Sequence, residues 1–168
     1  DKRRRVVARD ALNGKMLWSV VCNASQKSAV CVDGTTLYVV DTSGTLRIID
    51  GKSRKIVSCT LIKKDGILLG FGKSGLIYMT NKVLDAIGAY TTSGRCIWTA
   101  PNSLTAFLLG DDDFMLVGER AEPYGHRLAL INGKTGKAAW RINITGEPAY
   151  LAMLDNNRLY LATNEGLI

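Results

Sequence analysis

The sequence lacks several things that would define a function quickly. No stretch is long and apolar enough to span a bilayer as a helix. No segment keeps a 3.6-residue apolar period over three turns, so little or no helix is expected. There is a single histidine, His126, and one imidazole without a nucleophile and an orienting acid makes no catalytic triad. The four cysteines, Cys22, Cys31, Cys59 and Cys96, show neither adjacent nor CxxC spacing. Cys31 and Cys96 fall among apolar residues of expected strands and read as buried free thiols, which behave as small hydrophobes. Gly72-Lys73-Ser74 and Gly133-Lys134-Thr135 look like the end of a phosphate loop. That motif needs glycine five residues before its GK, and Ile67 and Leu128 stand there. Asp33, Asp41 and the run Asp111-Asp112-Asp113 lack an EF-hand loop and read as turn formers. The basic run Lys2–Arg5 has no aromatics between its charges, so it reads as a solvated edge and not as a nucleic-acid platform. No catalytic residue, cofactor or metal ligand set is expected in this segment.

What is present is a repeat. Gly14-Lys15-Met16-Leu17-Trp18 returns as Arg54-Lys55-Ile56-Val57-Ser58, as Gly94-Arg95-Cys96-Ile97-Trp98 and as Gly136-Lys137-Ala138-Ala139-Trp140, at steps of 40, 40 and 42 residues. Tyr38, Tyr78 and Tyr160 each follow the last residue of a copy by 20. The pair Asp33 and Gly44 returns as Asp155 and Gly166. Self-similarity at about 40–45 residues is the period of a four-stranded propeller blade. In the cleanest copy the strands are expected over Ser28–Cys31, Thr36–Asp41, Thr45–Asp50 and Lys55–Leu61, rich in Val, Ile, Leu, Tyr and Thr, with Gly-containing turns between. The fold class is therefore all-β, a β-propeller of four-stranded antiparallel blades. One domain over 1–168 holds three complete blades, 25–61, 62–101 and 102–145, and two complementary halves, 1–24 and 146–168. Hydrophobic residues make up 46% of the chain, enough for a sizeable core. The mid-blade stop and the start at Asp1 suggest a cut from a longer propeller, or two chains completing one ring as a homodimer.

Ala8-Arg9-Asp10-Ala11-Leu12-Asn13-Gly14-Lys15-Met16-Leu17-Trp18 resembles the tryptophan-docking pattern Ala-x-Asp-x-x-x-Gly-Lys-x-x-Trp of pyrroloquinoline-quinone-like propeller repeats. The later copies depart from it, with Ser58 in place of Trp, and Tyr90 and Asn132 aligned with Asp10. The resemblance implies that Trp18, Trp98 and Trp140 staple each blade to the next and that Ser58 marks a weak joint. Ala8, Asp10, Gly14, Gly94 and Gly136 would complete the docking motif. It also raises two alternatives: a fragment of a quinone-dependent dehydrogenase, whose adjacent cysteines are missing here, and a luminal or extracellular sensor domain. The sequons Asn23-Ala24-Ser25 and Asn143-Ile144-Thr145 are its only support in composition.

The primary expectation is a protein-interaction scaffold. Its partners would be other proteins or the remaining blades of a parent chain. The two-residue insertion is placed within 119–126, which holds both charge signs, a Tyr and the lone His. Loops on a rigid scaffold are where binding residues gather. Glu119, Arg120, Glu122, Tyr124 and His126 are therefore the candidate interaction loop.

Overall fold

The computed structural model describes residues 4–22, 29–41, 43–64, 66–80, 86–101, 103–109, 113–121, 125–145, 148–155, 158–163 and 166–167. They form antiparallel strands and turns and contain no helix. The chain divides into two compact units, Asp1–Leu68 with Thr92–Arg95, and Leu69–Thr91 with Cys96–Ile168.

In the first unit, β1 (Arg5–Arg9) pairs with β2 (Met16–Val21) as a two-stranded sheet. A meander follows: β3 (Ala29–Asp33), β4 (Thr36–Val40), β5 (Thr45–Asp50) and β6 (Lys55–Leu61) pair in chain order. Val6, Val20, Cys22, Val39 and Ile49 form its buried core, with Trp18 and Leu37 packed against them. These residues alternate along their strands, as the pleat requires for one buried face.

The second unit carries a sheet of β7 (Ile67–Phe71), β8 (Ile77–Thr80), β9 (Ala86–Tyr90) and β10 (Cys96–Pro101). The division between the units passes through β7 and through the β9–β10 turn. Next comes the sheet of β11 (Ser103–Leu109), β12 (Phe114–Ala121), β13 (Gly125–Asn132) and β14 (Ala138–Ile144). β15 (Pro148–Asp155), β16 (Arg158–Thr163) and β17 (Gly166–Leu167) make a three-stranded sheet. The core of this unit is Tyr78, Ile87, Ala89, Met115, Val117, Ala129 and Ile131, with Leu69, Leu76, Trp98 and Ala100 against it.

The repeat motif is a turn with a purpose at each position. The Asp10 carboxylate accepts from the Leu12 and Asn13 amides, and Asp50 does the same for Lys52 and Ser53. Asn132 caps Lys134 and Thr135 with its side-chain oxygen. Such Asx turns tie the chain back on itself before the next strand. The residue four later is left-handed, Gly14 at φ 71°, Arg54 at 60° and Gly136 at 70°, and the shorter third turn has Gly94 at 90° in the same role. A bulge then shifts the register in each hairpin, between Ala8 and Arg9, Ile48 and Ile49, Cys96 and Trp98, and Leu130 and Ile131. A left-handed residue closing a turn beside a bulge is the usual geometry for this hairpin length.

Register corrects two sequence alignments. Arg9 pairs with Met16, Ile49 with Ile56 and Ile131 with Ala138, whereas Tyr90 pairs with Cys96. The third turn is one residue shorter, so Tyr90 is no substitute for Asp. It occupies the strand position of Arg9 and Ile49 and is buried. Burial, with a lesser push from the nearby Cys96, raises its phenol above the ordinary value. Cys96 is the second correction, being exposed where a buried thiol was expected, because it lies on edge strand β10. Cys22 is the buried thiol, and the Cys31 side chain lies outside the described residues.

Candidate functional site

The three tryptophans of the repeat occupy unequal surroundings. Trp98 is half-buried, its Nε1 donating to the Gly133 carbonyl at 2.6 Å. A Cβ built on Gly136 would stand 2.7 Å from Trp98 Cγ, so the indole lies directly on the Gly136 turn of the following sheet. Any side chain there would push the indole away, and φ 70° already disfavours one. The Tyr78 ring lies beside the indole, with centroids 6.3 Å apart and planes tilted by 37°. Its hydroxyl faces Gly72 and Gly133, where a Cβ would collide with it. Burial above all, and the Asp113 carboxylate in addition, push the Tyr78 phenol up to about 12. Asp113 is itself buried and accepts from the Ser74 amide at 3.0 Å. In the first unit Trp18 packs on the core beside Ala8, its cross-strand partner. At the Ser58 copy no indole is available. There Gly94 rests on backbone, its built Cβ lying 3.3 Å from the Leu61 carbonyl and 3.5 Å from Thr60 Cγ2. Trp140 is 37% exposed.

The charged residues singled out in 119–126 are not one loop. Glu119 and Arg120 belong to β12 and His126 to β13. The ladder continues through Glu119↔Arg127, Arg120↔His126 and Ala121↔Gly125. The first complete blade turns from Val40 to Leu46, and the matching rungs here are Gly118 and Leu128. The added residues extend the hairpin as paired strand. Glu122 and Tyr124 lie outside the described residues. Arg120 is exposed, His126 half-buried and Glu119 only 5% exposed.

Glu119 extends the buried face formed by Met115 and Val117, and Arg127 extends that of Ala129 and Ile131. A carboxylate so placed needs cationic partners. Arg127 donates to its Oε2 from Nε at 2.9 Å and Nη2 at 2.8 Å. Arg141, on β14, reaches Oε2 from Nε at 3.2 Å and Oε1 from Nη2 at 3.4 Å. Arg127 and Arg141 were missed from sequence. The available signal was Glu119 itself, a charge in an alternation otherwise apolar. A cavity of about 300 Å³ opens beside this cluster.

Residues 1–57 match the family model described as outer membrane protein assembly factor BamB. The front third carries a quinoprotein-type repeat. No curated protein matches the chain. Among solved structures it is similar to BamB from Moraxella catarrhalis, with TM-score 0.65 and 19% identity over 97% of this chain and 50% of that one. The WD40 domain of Toxoplasma gondii coronin gives TM-score 0.63 and 15% identity, over 89% of this chain and 43% of that one. A chain of a mitotic checkpoint complex gives TM-score 0.70 and 9% identity, over 95% of this chain and 51% of that one. The sheets are β-propeller blades. The chain spans about half the length of these structures or less. Among the described residues no helix is long and apolar enough to cross a membrane.

Proposed function

We infer that this chain is a protein-interaction scaffold: propeller blades that present a lengthened, charged hairpin to another protein. The observation that carries the reading is the β12–β13 hairpin, which outruns its counterpart in the first complete blade and holds Arg120, Arg127 and His126 at its end. Paired strand keeps those side chains in fixed positions, which lowers the ordering cost of binding. The names of two similar proteins, an assembly factor and a member of a checkpoint complex, support it by fold analogy alone.

The test replaces residues 119–127 with Asp-Thr-Ser-Gly-Thr, the residues between the paired Val40 and Leu46, and compares the proteins cross-linked by each form in lysate of the source organism. Loss of partners, with an unchanged β-type circular dichroism spectrum, is the expected result. Unchanged capture would remove this hairpin from the function. A calcium-dependent absorbance change on titration with pyrroloquinoline quinone would replace the scaffold reading with the dehydrogenase one.

A further inference from the structure

We propose that the cavity beside Glu119 is a docking site for an acidic peptide, its side-chain carboxylates seated on Arg127 and Arg141. The proposal rests on the scaffold reading and names the chemistry of the partner. Thr99–Pro101 of β10 line it together with Glu119, Arg127 and Arg141. Two guanidinium groups against one carboxylate leave this site one positive charge in excess.

The arginines are held before any ligand arrives. Glu119 is the buried anchor, with 7% of its side chain exposed, while Arg127 and Arg141 keep 37% and 46%. Each directs Nε and Nη2 at Glu119, which leaves the Nη1 edge of each guanidinium for a second acceptor. A guanidinium fork fits a planar carboxylate, and the bonds are charge-assisted. Because Glu119 sits inside the cluster, charge spread over separate carboxylates suits the site better than a compact dianion, which would concentrate repulsion beside it. β10 is the edge strand of its sheet, so the Thr99–Pro101 wall also offers main chain to an extended segment.

Fluorescence anisotropy with a labelled peptide of alternating Glu and Ser tests this on the intact chain. Binding is expected, with a loss of roughly tenfold or more for Arg127→Gln and for Arg141→Gln, the scale of one charge-assisted bond. Arg127→Lys and Arg141→Lys keep a cation facing Glu119 and lose only the planar fork, so their weaker peptide binding keeps the test valid should the Gln variants disturb folding. Lys55→Gln, which removes one positive charge from an exposed site elsewhere, should change affinity less than twofold. Equal weakening by Lys55→Gln would mean unspecific attraction to a basic protein and would overturn the proposal. Equal binding of a Gln–Ser peptide would overturn it too. Displacement by inorganic phosphate at the peptide's own dissociation constant would make it a simple anion site, against the proposal. If the hairpin exchange abolishes partner capture while no acidic peptide binds, the scaffold reading stands and this site falls.

Discussion

Asp41 and Glu119 stand at the same place in two blades, one residue beyond matching rungs of the second strand, and their surroundings differ. Asp41 accepts from the Ser43 and Thr45 amides and from Ser43 Oγ, and pairs with Arg47 at 2.9 Å. Arg47 spends its remaining donors internally, Nε on the Cys22 carbonyl and Nη1 on Cys59 Sγ. Only 15% of its side chain is exposed. That knot is closed: one acid, one base, a tight turn. In the other blade the turn is replaced by further ladder, and one acid holds two half-exposed arginines beside a cavity. These two blades thus place an acid where the apolar face ends. Whether that acid seals the blade or arms it depends on what the following turn and strand supply.

The joints between blades differ in the same way. Trp98, braced by Tyr78 of its own sheet, makes a hydrogen bond to Gly133 and packs on Gly136 across its joint, whereas the Ser58 copy has no indole and offers Leu61 and Thr60 to Gly94. Trp98→Ala should therefore cost about 3–5 kcal/mol, the range for removing a large packed aromatic. Ser58→Ala should cost less than about 0.5 kcal/mol. Urea midpoints of the two variants measure the contrast, and equal losses would break it. Glu119→Gln comes next, at about 2 kcal/mol, since it leaves two arginines facing a neutral group with solvent relieving part of the loss. Chemical denaturation at neutral pH measures it, and the loss should shrink in high salt.

Asp41 sharpens the comparison through pH. Burial raises its pKa, but bonds from Ser43 and Thr45 and the charge of Arg47 outweigh that and hold its carboxyl below the ordinary carboxylate value. A depressed carboxylate adds stability that is complete above its unfolded value and is lost as pH falls through its folded value. Asp41→Asn should thus lower stability at neutral pH and flatten the acid limb of a melting curve taken from pH 5 to pH 2. An acid limb as steep as in the parent protein would show that Asp41 does not carry it. The smallest effect concerns Arg54, which holds φ 60° where the other copies have Gly. Arg54→Gly should raise the denaturation midpoint slightly, by up to about 1 kcal/mol, as relief of left-handed strain exceeds the entropy lost by adding glycine. A fall in midpoint would mean that the Arg54 side chain matters more than its backbone.

Much of this was legible in the chain. The blade period follows from Trp18, Ser58, Trp98 and Trp140, because an Asx turn, a left-handed residue and a bulge demand particular residue types at fixed spacing. These are local requirements, and local requirements leave a trace in sequence. The short third turn was not legible: a one-residue deletion looks like a substitution of Asp by Tyr90 until pairing shows which residue faces Cys96. Nor was the partnership of Glu119 with Arg127 and Arg141, since a strand's charges do not name their cross-strand neighbours. Sequence by itself determined the repeat, the turns and the strands, through backbone conformations that few residues tolerate. Only the tertiary structure decided which acid is sealed and which faces a cavity, because that depends on register and on side chains brought together from strands far apart in the chain.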